Sequence, residues 1–254
     1  SYLNRVISPE LRPKLEATVR DRLESAVERL GFTPEPEEDE LVRQLRADLV
    51  RALGTLGNGA EVQAEARKLY RRSLAEPGAV DPNLIPALIA VLAHAGGEAE
   101  YAEFVERFRS AGTPQEEQRY LYALAGFRQS AEVSRTLEKT ISGEVRAQDA
   151  PFLVRSLLLS PDARELAWGF VKGNWDAIER RFPAKSGLRR MCEGITALAT
   201  PELEADVQAF FASRSITLGG KALEQYLEQL RVAVAFRERE SAALAAYLSR
   251  RHPR

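Results

Sequence analysis

Three side chains among the 254 residues carry an imidazole or a thiol: His94, His252 and Cys192. They are the groups from which zinc binding, general base work or thiol nucleophilicity would start. A zinc site needs three or four His, Cys or carboxylate ligands at close spacing, and these three are scattered along the chain with no H-E-x-x-H among them. His94, in VLAHAGG, is expected at a helix end, where a cation offsets the macrodipole. His252, in the terminal RHPR, is expected to be disordered. Cys192 has no neighbouring base in RRMCEGITALA and reads as a small buried hydrophobe. Neither G-x-x-x-x-G-K-[ST] nor G-x-G-x-x-G occurs, and the pairs Gly96-Gly97 and Gly219-Gly220 read as helix caps and turns. The run Arg237-Glu238-Arg239-Glu240 reads as a solvated helix face.

Both tryptophans, Trp168 and Trp175, fall in LAWGFVKGNWDAIERRF, Leu166 to Phe182. Each can bury about 150–250 Å², so the pair marks either a core or an aromatic ligand platform. Gly173 and Asn174 break the apolar pattern between them. A helix, a tight break and a second helix would turn both rings toward one interior, which favours core anchors.

Lys plus Arg total 36 against 37 Asp plus Glu, so no excess positive charge drives binding to nucleic acid, which is not expected as a partner. Hydrophobic residues make up 44% and charged residues 29%, the balance of a globular chain. The longest apolar stretch, LIPALIAVLAHA, falls short of the ~20 residues that a membrane span needs. One cysteine permits no intrachain disulfide and fits a reducing compartment, which weights the open question of location toward the cytoplasm. The opening SYLNRV carries neither an initiator Met nor a secretory pattern, which suggests a segment of a longer protein.

The elements that would position these groups are helices. Ser8-Pro9, Asp81-Pro82, Thr113-Pro114, Ser160-Pro161 and Thr200-Pro201 each place an N-cap residue before a proline at the first helical position. Thr113 with Glu116 forms a capping box. Leu41, Val42, Leu45, Leu49, Leu53 and Leu56 form an apolar stripe, with Arg43, Arg46 and Arg51 largely off it. Leu223, Tyr226, Leu227, Leu230 and Val234 repeat the pattern. LIPALIAVLA and FLVRSLLL are apolar nearly all round, as suits helices sandwiched between neighbours. The spacing predicts helices over about 9–30, 38–56, 60–75, 83–95, 98–110, 114–126, 131–141, 150–159, 161–172, 174–182, 187–198, 201–213 and 220–250. Short helices on short turns pack antiparallel, so the expected fold is all-α, an α-solenoid of HEAT or armadillo-like helix pairs in a single domain over 1–254. EPEEDE, Glu35 to Glu40, reads as a short loop rather than a domain boundary.

The segment RAQDAPFLVRSLLLSPDARELAWGFVKGNWDAIERRF, Arg146 to Phe182, resembles the C-terminal helical domain of zinc-dependent aminopeptidases of the puromycin-sensitive and endoplasmic-reticulum type, in the gluzincin family. AHAGGEAEYAEFVERF, TPQEEQRYLYALAGF, LEADVQAFF and ALEQYLEQLRVAVAF agree in order and spacing, so the resemblance covers about Leu15 to Leu248. The resemblance implies that the zinc helix and the G-x-M-E-N loop belong to a preceding catalytic domain, so zinc is a cofactor of the parent and not of this segment. It also implies that this segment partners that catalytic domain, encloses a chamber for peptide substrates and cuts no bonds itself. A freestanding HEAT-like scaffold for protein partners is the alternative. A chamber wall could hold a peptide carboxylate through Arg, whose planar fork matches it bidentately. Arg128, in the turn after TPQEEQRYLYALAGF, and the pair Arg189 and Arg190, at the start of the RRMCEGITALA helix, are the candidate substrate contacts.

Overall fold

The computed structural model describes residues 3–182, 185–214 and 221–252, and among them the chain is all-α, with no strand. It opens on a single turn, α1 (Leu3–Val6), and divides into two compact units. One unit comprises Ser8–Ala123 with Ala243–Arg254, the other Ser1–Ile7 with Leu124–Ala242.

The Ser8–Ala123 unit starts with a 3-10 turn, Pro9–Leu11, and continues through α2 (Arg12–Leu30), α3 (Glu40–Thr55), α4 (Ala60–Ala75), α5 (Ile85–Ala95), α6 (Glu98–Arg109) and α7 (Pro114–Ala123). The caps explain the starts. Asp39 Oδ1 accepts the Leu41 N–H at 2.8 Å to open α3. Thr113 Oγ1 accepts the Glu116 N–H at 3.2 Å to open α7, while Glu116 Oε2 takes the Gly112 N–H at 3.1 Å, one residue before the predicted reciprocal partner. Glu100 Oε2 caps α6 the same way, on the Gly97 N–H at 3.1 Å. Asp81 behaves differently: its Oδ1 accepts from the Asn83 N–H at 2.8 Å, which makes Pro82 a turn residue and delays α5 to Ile85.

Helices in this unit pack mainly on their neighbours in the chain, α2 on α3 and α6 on α7, with the apolar α5 in contact with α3, α4, α6 and α7. The approach of α3 to α5 is so close that a Cβ on Gly54 would stand 2.5 Å from Val91 Cγ2. Tyr70, Phe104 and Tyr120 form an edge-on aromatic row, with ring centroids 5.9 and 5.3 Å apart. The C-terminal end of the last helix, Ala222–Arg251, lies along α2: Lys14 Nζ donates to Ser249 Oγ at 2.9 Å, and Arg22 donates to the Tyr247 hydroxyl at 3.1 Å. His252 is therefore ordered, contrary to expectation, with Nε2 at 3.0 Å from Thr18 Oγ1 and 3.6 Å from Asp21 Oδ2. His94 is half-buried in the last turn of α5.

The predicted stripe on α3 is buried only in part, with Val42, Leu49 and Leu56 half-buried. Leu41 and Leu45 are 72% and 50% exposed, while Arg46, Ala47, Val50, Leu53 and Gly54 are buried. Arg46 faces inward because it is fully engaged. Its two terminal nitrogens donate to Glu38 Oε1 and Oε2, both at 2.6 Å, and its Nε donates to the Leu30 carbonyl at 3.2 Å. The EPEEDE loop thus supplies the counter-ion that brings an arginine into the packed face.

The other unit runs from a 3-10 turn, Leu124–Gly126, through α8 (Ser130–Ser142), α9 (Ala150–Leu159), α10 (Arg164–Gly173), α11 (Trp175–Arg181), α12 (Lys185–Cys192), a 3-10 turn Glu193–Ala197, α13 (Pro201–Ala212) and α14 (Ala222–Arg251) as far as residue 242. The second all-round apolar segment becomes α9, on which α8, α10, α12 and both 3-10 turns pack. A Cβ on Gly194 would stand 2.6 Å from Leu158 Cβ. Thr200 Oγ1 accepts the Leu203 N–H at 3.2 Å and opens α13. Ser160-Pro161 again yields a turn before its helix, α10. Gly219-Gly220 lies outside the described residues.

Candidate functional site

Trp168 and Trp175 stand on α10 and α11, either side of the Asn174 break, and are 1% and 3% exposed. Both meet the same two rings of α13: Phe210 centroids lie 5.2 and 5.4 Å away, Phe211 centroids 6.2 and 6.0 Å away. Four aromatic rings closed on one another leave no open face for a ligand to stack upon. The one polar atom of Trp168 is satisfied at the edge of this cluster, where Nε1 donates to Asp206 Oδ2 at 2.7 Å and Lys172 Nζ reaches the same oxygen at 2.5 Å. The Lys172 hydrogen bond, helped by that of Trp168 and opposed by burial, holds the Asp206 carboxyl below its ordinary value.

The predicted arginines do not form one group. Arg128 follows the Leu124–Gly126 turn, half-buried, with its Nε 3.3 Å from Asp162 Oδ2. Arg189 and Arg190 stand together on the second half of α12 and are exposed, rather than at the start of a helix as the apolar pattern suggested. They line a cleft of about 680 Å³ to which Arg128 does not contribute. Arg190 donates to Glu193 Oε2 at 2.9 Å and lies over the Phe152 ring, 5.4 Å from its centroid. Glu193 is shared, since Arg155 donates to its other oxygen at 2.6 Å, and these two arginines keep its carboxyl below the ordinary range. Arg189 has no carboxylate partner among the described residues. The cleft therefore carries a surplus positive charge.

Sequence reasoning missed the rest of this cleft. Phe152, on α9, is 42% exposed although the other residues of its helix are buried or half-buried. Gln225 and Tyr226, on α14, close the opposite side, and Gln148 stands just before α9. Tyr226 was placed on an apolar stripe, yet it is half-buried with its phenol pushed up by burial and by Glu193, against the pull of Arg189 and Arg190. Nothing local marks these residues, because they meet from elements up to about 80 positions apart.

The residues that line this cleft include no His, Cys, Asp or Glu. Cys192 is 1% exposed and burial pushes its thiol up to about 12, which keeps it in the thiol form at neutral pH. Among the described residues no group of three or more His, Cys, Asp or Glu is placed to hold a metal ion. No helix among them is long and apolar enough to cross a membrane.

A family profile described as ERAP1-like C-terminal domain matches residues 1–232. The chain is 28% identical over 230 residues to Aminopeptidase M1-D of Oryza sativa subsp. japonica, covering 89% of this chain and 26% of that protein. It is 25% identical over 229 residues to Glutamyl aminopeptidase of Rattus norvegicus, covering 87% and 24%. With Alanine/arginine aminopeptidase of Saccharomyces cerevisiae the identity is 24% over 250 residues, covering 96% and 29%. The chain thus spans about a quarter of the length of the curated relatives it matches. An all-helical chain whose aromatic centre is LAW…NW, matched over nearly its whole length, belongs to the ERAP1-like C-terminal domain family of the M1 aminopeptidases.

Proposed function

We propose that this chain is the non-catalytic C-terminal domain of a zinc aminopeptidase, which encloses the substrate chamber and limits which peptides reach a catalytic domain supplied by the rest of the parent. The observation that carries the reading is the match of 232 residues to a C-terminal domain family, by a chain that spans only a quarter of relatives named as aminopeptidases. Among the described residues no group of His, Cys, Asp or Glu is placed to hold a zinc ion, His94 and His252 share a unit without forming such a cluster, and the Cys192 thiol is buried. Metal-assisted water activation belongs to the parent's other domain, and the residues of this chain bind and exclude rather than cleave.

In that role Arg128, Arg189 and Arg190 are contacts for the carboxylate of a bound peptide. Arg189 is the freest to act, because a ligand at Arg128 must compete with Asp162 and one at Arg190 with Glu193. In the intact parent enzyme, Arg189→Ala/Arg190→Ala is expected to raise KM for longer free-carboxylate peptides by about tenfold or more, as loss of a charge-assisted bond requires. Small aminoacyl chromogenic substrates are expected to be unaffected. Equal effects on both substrate classes, or none on either, overturn the role of the arginine pair. Arg128→Ala, assayed alongside, gives its own answer in the same way. An upstream reading frame lacking H-E-x-x-H overturns the domain assignment itself.

A further inference from the structure

The turn that joins α3 to α4 holds a pair of residues with a chemistry of its own. Of the asparagines in the chain, Asn58 alone is followed by glycine. In such a pair the glycine backbone nitrogen can reach the side-chain carbonyl carbon of the asparagine, because glycine has no Cβ to block the approach and its backbone turns freely. The attack forms a bond from Gly59 N to Asn58 Cγ and breaks the bond from Cγ to Nδ2. The side-chain nitrogen leaves as ammonia, taking up the proton that Gly59 gives. Water then opens the cyclic imide at one of its two C–N bonds, leaving aspartate or isoaspartate at position 58. No reactant besides water is consumed.

The folded turn restrains every group in that reaction. Asn58 is one of two non-glycine residues with a positive φ among the described residues, at 48°. Gly59, the nucleophile, is buried, and its N–H donates to the Leu53 carbonyl at 3.0 Å, which holds the proton in place. Asn58 Oδ1 accepts from Gln63 Nε2 at 2.9 Å, and the same nitrogen donates to the Gly54 carbonyl at 2.9 Å. Gln63 thus ties the reacting side chain to the end of α3. From α2, Glu16 Oε2 accepts from Asn58 Nδ2 at 3.4 Å and Arg20 donates to the Gly57 carbonyl at 2.5 Å. The products do not fit this arrangement. A carboxylate at position 58 has no proton to give Glu16 and opposes it with like charge. An isoaspartate adds a backbone carbon to a turn closed by three hydrogen bonds, from Gly57, Asn58 and Gly59 to Ala52, Thr55 and Leu53.

We infer that Asn58-Gly59 is a site of spontaneous covalent modification, deamidation through a succinimide, which Gln63 and Arg20 latch shut and which opens only when the α3–α4 turn does. The reaction then records each opening irreversibly, because the modified turn cannot close on Glu16 and Gln63 as before. The inference does not depend on the role proposed above.

The test compares the 254-residue chain with the capped peptide Ac-TLGNGAEV-NH2, which carries residues 55–62 without the latch. Both are held in mildly alkaline buffer, at a temperature where the chain and its variants remain on the folded baseline of their melting curves. Conversion of Asn58 is followed by peptide mapping with mass spectrometry. The peptide is expected to react about tenfold or more faster than the chain, since only the open fraction of the turn reacts. Gln63→Ala and Arg20→Met are each expected to speed the reaction in the folded chain several-fold. Gln208→Ala, on α13 in the other unit, is expected to leave the rate unchanged. A chain that reacts as fast as the peptide, a rate that neither Gln63→Ala nor Arg20→Met raises, or an equal acceleration by Gln208→Ala overturns the inference.

Discussion

Trp168 donates its indole N–H to Asp206 at 2.7 Å, and Lys172 approaches the same carboxylate oxygen while lying 5.8 Å from the Trp168 ring centroid. One carboxylate thus satisfies the polar atom of the largest buried side chain and carries its own counter-ion. The indole can sit deep in the aromatic cluster without leaving an unpaired donor.

Truncating either ring should be costly. Trp168→Ala and Trp175→Ala are each expected to destabilise the chain by about 3–5 kcal/mol. Because both rings rest on Phe210 and Phe211, the double variant should depart from additivity by about 0.5–3 kcal/mol, measured by urea denaturation. Strict additivity would mean that the two rings do not share a core.

Asp206→Asn isolates the charge, since an amide oxygen can still accept from Trp168. The folded carboxyl lies below its ordinary value of 3.8, so its stabilisation is complete above that value and is lost as pH falls through the folded value. Wild type is therefore expected to melt above Asp206→Asn at neutral pH, with the gap closing in acid below about pH 4. Lys172 and Asp206 are 34% and 41% exposed, so screening should keep the gap under about 1 kcal/mol. A gap that widens in acid has the wrong sign for this arrangement.

On α3 the structure and the hydrophobic pattern predict opposite outcomes. Leu41→Gln with Leu45→Gln is expected to change stability by less than about 0.5 kcal/mol per site, because both side chains face water. Arg46→Met is expected to destabilise, and adding Glu38→Met to recover part of the loss, since the first change strands a carboxylate and the second removes it. Thermal melts of these variants decide between the two faces.

Cys192 should be silent in the folded chain. With its thiol raised to about 12 and 1% exposed, a disulfide-exchange chromophore at pH 8 is expected to find no reactive thiol in the native protein and one per chain in denaturant. Rapid native reaction would place the cysteine on the surface.

The helices were legible because their ends are written locally. α4 and α9 fall on the predicted bounds, and most others within a few residues, since caps and prolines act within one turn. The four-residue α1 escaped because so short a run has no periodicity to detect. Of the five Xaa-Pro pairs, Thr113-Pro114 and Thr200-Pro201 start α-helices, whereas Ser8-Pro9 starts a 3-10 turn and Asp81-Pro82 and Ser160-Pro161 start turns that precede their helices. Which face of a helix turns inward was less legible. On α3 the leucine count favoured one face, and the buried face includes Arg46, whose charge is met by Glu38 in the preceding loop, a pairing that helical periodicity does not show. Of the candidate site, the arginine pair was visible as residues. Phe152, Gln225 and Tyr226, which make those arginines the wall of a cleft, were not.

Gly54 and Gly194 act as spacers. At each, a single added carbon would collide with a branched side chain of the facing helix, Val91 or Leu158, at 2.5 and 2.6 Å. An alanine at either position is in effect a wedge, and it would be driven into the very helix on which most of its unit packs, α5 in one case and α9 in the other. The two wedges differ in whether they can be relieved: Val91→Ala removes both methyl groups that an alanine at Gly54 would strike, whereas Leu158→Ala keeps the Cβ that an alanine at Gly194 meets, so the Ser8–Ala123 unit can be loosened and re-tightened by a pair of changes while the wedge at Gly194 stays in place.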